Sequence, residues 1–469
     1  MQKNPKIIVQ KPIFKSLISL SVPIILANLF QSMYHMTDSF WVGRLGGSAL
    51  ASVFICSPII YLTVALGIGF AIAGSTLVAQ YYGAKNHAMV SHSAAQTLLL
   101  ITFTSLIFST VGYIFAPQIL RLMGANNEIF PSALGFLRVS FLAIIFNFSF
   151  FMFQSIMRGI SRPHIPVLIV IGTVLLNFVL DPLFIFGWKS IPVFGVQGAA
   201  VATLFTQGIA AIVGLSILFG GKYGVALKKK HFIPDFKFIK KAFFIGLPAS
   251  IEQSSRNFAM AFIVSLVASF GTTAVASYGA GVNINQVAMF VGMGLAVAGG
   301  TLVGQSIGAN QMDRAVRVSK LSAVMSFIVL TFLGILAFVF SKNLISFFIP
   351  HDLGVIQGGS NFIRIVALSF GFVGLHMSFS IVFSAAGLTK IPMFLTISSQ
   401  WLFQIPLSYY LSKHTSLGIN GIWIALPLTN ILASAVAFFM YSKGNWKNSK
   451  IIEQNVVANP NIATPTIKK

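Results

Sequence analysis

Twelve runs of roughly 20 to 30 predominantly apolar residues follow one another along this chain. Each is long enough to cross the ~30 Å hydrocarbon layer of a bilayer as a helix. No water is available at that depth, so backbone N–H and C=O groups must pair within a helix or within a closed barrel. The runs do not alternate in polarity, which excludes a barrel. The fold class is therefore an all-α polytopic membrane protein. Only 8% of the residues are charged, about a third of the ~25% usual in soluble domains.

The spans read approximately as 17–42, 49–82, 93–117, 132–158, 164–187, 196–219, 243–269, 274–306, 316–341, 358–386, 391–411 and 418–441. Pro23, Pro58 and Pro248 fall inside spans, where bending is expected. The net charge is +23. In a soluble chain this would suggest nucleic acid. Here it is expected to mark short loops that stay cytoplasmic. With both termini inside, Lys and Arg concentrate in every second loop. Only Arg44, Arg121, Lys189, Lys342 and Lys413 lie in outside loops, and Arg138, Arg256 and Arg364 lie within spans. The expected setting is the plasma (inner) membrane. The long first run, without a small-residue cleavage pattern, does not read as a cleaved signal. Cys56, the single cysteine, has no partner in the chain for a disulfide.

The basic stretch GGKYGVALKKKHFIPDFKFIKK separates two halves of six spans, and the halves are related. A shift of 225 positions carries Pro23 onto Pro248, and Ala49–Ser52 onto Ala274–Ser277. It also carries Gly74-Ser-Thr-Leu-Val-Ala-Gln80 onto Gly299-Gly-Thr-Leu-Val-Gly-Gln305, and Gly83-Ala84 onto Gly308-Ala309. Apolar composition alone would not keep Thr and Gln in register. An even number of spans per half makes the repeat parallel, with two pseudo-symmetric six-helix bundles. The expected organisation is a cytoplasmic arm 1–16, an N-lobe 17–219, a basic cytoplasmic linker 220–242, a C-lobe 243–442 and a disordered tail 443–469.

Of eight acids, Asp38, Asp181 and Glu252 fall inside spans. A carboxylate at the centre of a span costs roughly 2.5–3.5 kcal/mol on insertion scales, so it is expected to face a cavity or a partner. Tyr34 is one turn before Asp38, and Asn177 one turn before Asp181. Pro182 lacks an N–H and frees a carbonyl one turn back. Two carboxylates and an amide oxygen make a hard-oxygen set for Na⁺ (Asp38, Asn177, Asp181), or a proton relay. Glu252 has Arg256 one turn along, so a second site and a static ion pair are both open. Met33, Met36, Phe40, Trp41 and the run 141–153, with Phe150 and Phe153, are candidates to line a cleft for apolar or aromatic cations. His35, His164 and His376 read as structural. Gly67-x-Gly69 and Gly292-x-Gly294 read as close helix packing. No Walker motif, metal-ligand cluster or nucleophile–base pattern is present, so neither an enzyme nor a resident cofactor is expected.

These features resemble the multidrug and toxic compound extrusion (MATE) family along essentially the whole chain. The resemblance is carried by P-x(14)-D-x(4)-G-R-L-G-G from Pro23 to Gly47, by TLVAQYYGA and TLVGQSIGA, by RLMGANNEIFPSALGFLRV and by NFVLDPLFIFG. It implies two bundles around a central cleft and export of cationic or amphiphilic compounds in exchange for H⁺ or Na⁺. It further implies a monomer, no nucleic acid, and a cation site of Tyr34, Asp38, Asn177, Asp181 and Thr203. One branch of the family also uses acids in the seventh and tenth spans. Here Glu252 supplies the first, but NFIRIVALSFGFVGLHMSFSIVFSAAG holds no acid. That departure favours the first-lobe mechanism of the archaeal and DNA-damage-inducible-like branches. The rival expectation is a flippase of lipid-linked precursors from the same wider superfamily, which would need more Arg and Lys in the spans.

Overall fold

A computed structural model describes residues 12–189, 192–350, 352–449 and 451, without the His35 side chain. Most of the expected N-terminal arm and of the expected disordered tail lies outside these residues. The described chain is built of helices α1 (Ile13–Gly43), α2 (Gly47–Gly83), α3 (His87–Leu122), α4 (Phe130–Gly159), α5 (His164–Phe186) and α6 (Val196–Phe219). After the linker come α7 (Phe236–Ala268), α8 (Thr272–Gly308), α9 (Met312–Val339), α10 (Ser341–Phe348), α11 (Leu353–Ala367) and α12 (Phe370–Ala385). The last are α13 (Lys390–Ile397), α14 (Ile405–Lys413) and α15 (Ile419–Ser442).

All twelve expected spans are helical. Among the described residues nine helices are long and apolar enough to cross a membrane, and the pair α11 and α12 makes a tenth. The expected seventh span, α7, is diluted by Lys237, Lys240, Lys241, Glu252 and Arg256. The expected eleventh span is interrupted: a π-helix, Ser398–Gln404, joins α13 to α14.

Pro23, Pro58 and Pro248 do not break their helices. The sharp bend, 51°, falls instead between α11 and α12, where no proline stands. Tight packing against α9 explains it. A Cβ on Gly374 would press on the Ser326 backbone, and one on Gly334 on the Ala367 carbonyl. Ser369, at the bend, donates to the Val366 carbonyl at 2.9 Å and accepts from Asn430 Nδ2 at 3.1 Å.

The 225-residue repeat reappears in three dimensions. Helices α2 and α8 are each 37 residues long, and each is preceded by a glycine at positive φ, Gly46 at 114° and Gly271 at 99°. A left-handed backbone of this kind favours glycine because it has no Cβ. Both helices end with the same pairing: the Ala84 N–H donates to the Gln80 carbonyl, and the Ala309 N–H to the Gln305 carbonyl.

Packing divides the chain into two units. One holds Leu26–Ser250 with Ile451; the other holds the described part of Met1–Ile25 with Ile251–Lys450. The two divisions, after Ile25 in α1 and after Ser250 in α7, are again 225 residues apart. In the first unit a buried core runs from Tyr34 and Val42 through α2 to α6 and ends on Phe238, Ala242 and Ile245 of α7. In the second, Leu17, Leu20 and Ile24 of α1 pack on Leu295, Leu302 and Phe383. Gly69 backs onto Ser250, and its repeat mate Gly294 onto Ile25; a Cβ at either glycine would collide there.

Side chains of α3 fasten the linker: the Ala226 N–H donates to Ser91 Oγ at 3.1 Å, His92 pairs with Asp235 at 3.2 Å, and buried Gln96 makes three hydrogen bonds. Gln96 Nε2 donates to the carbonyls of His231 at 2.7 Å and Ile233 at 2.8 Å, and its Oε1 accepts from the Asp235 N–H at 3.0 Å.

Candidate functional site

Three helices of the Leu26–Ser250 unit bring polar side chains together at membrane depth. Helix α1 supplies Tyr34 and Asp38 one turn apart, on one face. Helix α5 runs unbroken through Pro182 and carries Asn177 and Asp181, both fully buried. Helix α6 supplies Thr203 and Thr206. The Asp38 carboxylate lies beside Asp181, Asn177 and Thr203. Four of the five residues singled out from the sequence as the first-lobe cation set, Asp38, Asn177, Asp181 and Thr203, meet here.

Most oxygens of this cluster have nothing to accept. Asn177 Nδ2 donates to Asp181 Oδ1 at 3.0 Å. Asp38 Oδ1, Asp181 Oδ2, Asn177 Oδ1 and Thr203 Oγ1 are all buried without a hydrogen-bond partner. A buried acceptor left unpaired costs on the order of 1–3 kcal/mol, and more when charged. Two facing carboxylates repel as well. Oxygens from three helices that lack donors are matched by a positive guest: a proton shared between the acids, or a small hard cation on the oxygens. Among the described residues no group of three or more His, Cys, Asp and Glu that could hold a metal ion forms.

Tyr34 stands apart from this set. It is 3% exposed, and its hydroxyl donates to the Thr173 carbonyl at 3.1 Å, with the Thr206 hydroxyl also in reach. Thr173 and Thr206 were missed in the sequence. Thr173, Asn177 and Asp181 recur every four residues, so the face they share was legible as a polar stripe on an apolar helix.

The aromatic candidates separate. Phe150 and Phe153 are 2% and 0% exposed and stack on each other with centroids 5.9 Å apart, inside the core. Met33 and Met36 are exposed. Phe40 and Trp41 lie against the Arg44 guanidinium, 4.6 and 4.8 Å from the ring centres.

Glu252 and Arg256 belong to the other unit. Arg256 Nη2 donates to Glu252 Oε1 at 2.8 Å and to Thr396 Oγ1 at 3.2 Å, and the Thr396 hydroxyl donates to Glu252 Oε1 at 3.2 Å. The ion pair is thus closed into a triangle by α13.

The chain is similar to known transporters throughout. The MatE family model matches residues 23–183 and 248–410. The probable multidrug resistance protein YoeA of Bacillus subtilis is 28% identical over 446 residues, covering 94% of this chain and 95% of that protein. An FAD transporter of Shewanella oneidensis is 25% identical, with 92% and 94% covered. A solved outward-facing multidrug resistance MATE family transporter of the MOP superfamily superposes with a TM-score of 0.87 at 24% identity, covering 95% and 98%. With the family model spanning most of both halves of the repeat, the chain belongs to the MatE family of membrane transporters.

Proposed function

We propose that this protein is a secondary antiporter that exports cationic or amphiphilic compounds in exchange for H⁺ or Na⁺. The supporting observation is the set of four buried, unpartnered oxygens on Asp38, Asn177, Asp181 and Thr203. The multidrug resistance name of the Bacillus subtilis relative supports the export reading.

In this mechanism Asp38 and Asp181 take up a proton or Na⁺ from outside. The cation screens the two carboxylates from each other and draws α1, α5 and α6 onto common ligands. Each charge moved inward gains ~2.3 kcal/mol per 100 mV of membrane potential. That gain drives cargo outward when binding of cation and cargo is mutually exclusive. Lys and Arg in alternate loops support a plasma-membrane orientation with both termini cytoplasmic.

The test is dye efflux in everted membrane vesicles under an imposed Na⁺ gradient or, separately, an imposed pH gradient. Efflux under one gradient, lost in Asp38→Asn with normal folding, is the expected result. Full-rate efflux by the Asn variant removes Asp38 from the coupling role. No efflux under either gradient favours the flippase reading instead.

A further inference from the structure

The Ile251–Lys450 unit contains a partly open cavity of about 190 Å³, distinct in its residues from the Asp38 cluster. Two backbone irregularities converge on it. Val366 and Phe370, on either side of the 51° bend between α11 and α12, line it, and so do Ser399, Gln400 and Gln404 of the π-helix. Irregular backbone at membrane depth is tolerated where it is buried in protein or faces a cavity, and π-turns recur at functional sites.

The lining is short of partners in both senses. Asn285 Oδ1 and Gln400 Oε1 are buried acceptors with no donor, and Arg256 Nε is a buried donor with no acceptor. His376 is 9% exposed, and its Nε2 also lacks a partner. One wall is aromatic: Tyr278 and Phe362 meet edge to face, centroids 5.4 Å apart. The charge of Arg256 is already answered by Glu252 at 2.8 Å.

We propose that this cavity binds a small, uncharged, planar heterocycle carrying ring N–H and carbonyl groups side by side. The N–H groups donate to Asn285 Oδ1 and Gln400 Oε1, the carbonyl accepts from Arg256 Nε, and the ring face packs on Tyr278 and Phe362. A net charge on the ligand is opposed because the Glu252–Arg256 pair leaves no excess charge to meet it. Recognition by otherwise unpaired buried groups is selective, since a ligand lacking the matching group leaves them unpaired. That such a ligand is carried as cargo rests on the export reading; that it binds does not.

The experiment is equilibrium dialysis of radiolabelled uracil against the purified full-length protein in lipid nanodiscs. Anionic orotate and cationic tetramethylammonium serve as competitors. The expected result is saturable uracil binding, weakened at least tenfold in Asn285→Leu and in Gln400→Leu. Orotate and tetramethylammonium compete at least tenfold less well than unlabelled uracil. Asn285→Ala, which also lacks the acceptor, is checked for monodispersity and repeats the loss should the leucine variants fail to fold. Absence of saturable uracil binding, binding that survives Asn285→Leu and Asn285→Ala, or equal competition by orotate overturns the site. Dye efflux measured on the same preparations separates the two conclusions: gradient-driven efflux without uracil binding removes the cavity and leaves the antiporter. Uracil binding without efflux does the reverse.

Discussion

Tyr34 and Asp38 are one turn apart on α1, yet only the carboxylate keeps a buried oxygen free of hydrogen bonds. The Tyr34 hydroxyl is committed to the Thr173 carbonyl, and such a bond contributes a net ~0.5–1.5 kcal/mol. Tyr34→Phe should therefore keep efflux within about tenfold of the native rate, whereas Asp181→Asn should lose it as Asp38→Asn does. Equal losses in Tyr34→Phe and Asp181→Asn would place the hydroxyl in the cation's own shell. Glu252 poses a different question, because Arg256 already pairs with it. Breaking a fully buried ion pair costs ~3–5 kcal/mol. Arg256 is 31% exposed, so solvent screening reduces that to roughly 1–3 kcal/mol. The thermal midpoint of Glu252→Gln in detergent should fall, and Glu252→Gln with Arg256→Gln should recover part of the loss. A single variant that melts like the native protein would make the pair dispensable. The acids were legible in the sequence because charge is so scarce in these spans. Their neighbour Thr206 was not, because a threonine hydroxyl satisfies itself on its own helix: Thr206 Oγ1 donates to the Ala202 carbonyl at 2.9 Å.

At the scale of elements, apolar length announced most of the helices, while the breaks in them were invisible. Proline is the residue that suggests a bend, yet α1, α2 and α7 pass through theirs. The bend between α11 and α12 comes from how closely glycines on α9 and α12 let two backbones approach, which is a property of the packed pair rather than of either strand of sequence. Gly69 and Gly294 were legible as packing positions through the repeat, but not what they pack against. Gly69→Ala presses directly on the backbone and hydroxyl of Ser250, while Gly294→Ala first meets the movable side chain of Ile25. Overpacking of a tight contact costs ~1–3 kcal/mol. Gly69→Ala should therefore lower the apparent melting temperature more than Gly294→Ala does, and the opposite order would show that Ile25 cannot yield. Gln96 offers a sharper test of the linker. Gln96→Leu removes three hydrogen bonds at once, so trypsin should cut at Lys228–Lys230 faster than in the native chain, with helical content unchanged.

For the whole molecule, the internal repeat was readable from motifs alone, and α2 and α8 repeat it to the residue in length and caps. What motifs could not convey is that each half-chain's first helix begins in one packing unit and ends in the other. Orientation is the property most open to direct measurement. Cys56 is fully buried, so its background reactivity is low. A cysteine at Lys229 should react with a membrane-impermeant maleimide only from the cytoplasmic face, and one at Lys189 only from outside. The reverse pattern would invert the topology.

The packing of Ile25 on Gly294 also sets a schedule for making the protein. The start of α1 leaves the ribosome long before its partner helix α8 is translated. At ~5–20 residues per second, on the order of 10–60 s separate the two events. Ser250 has no such wait, since Gly69 is already in place when α7 appears. The unit that closes first is thus the one holding Asp38 and Asp181, and a chain stalled before α8 keeps its own beginning without a partner.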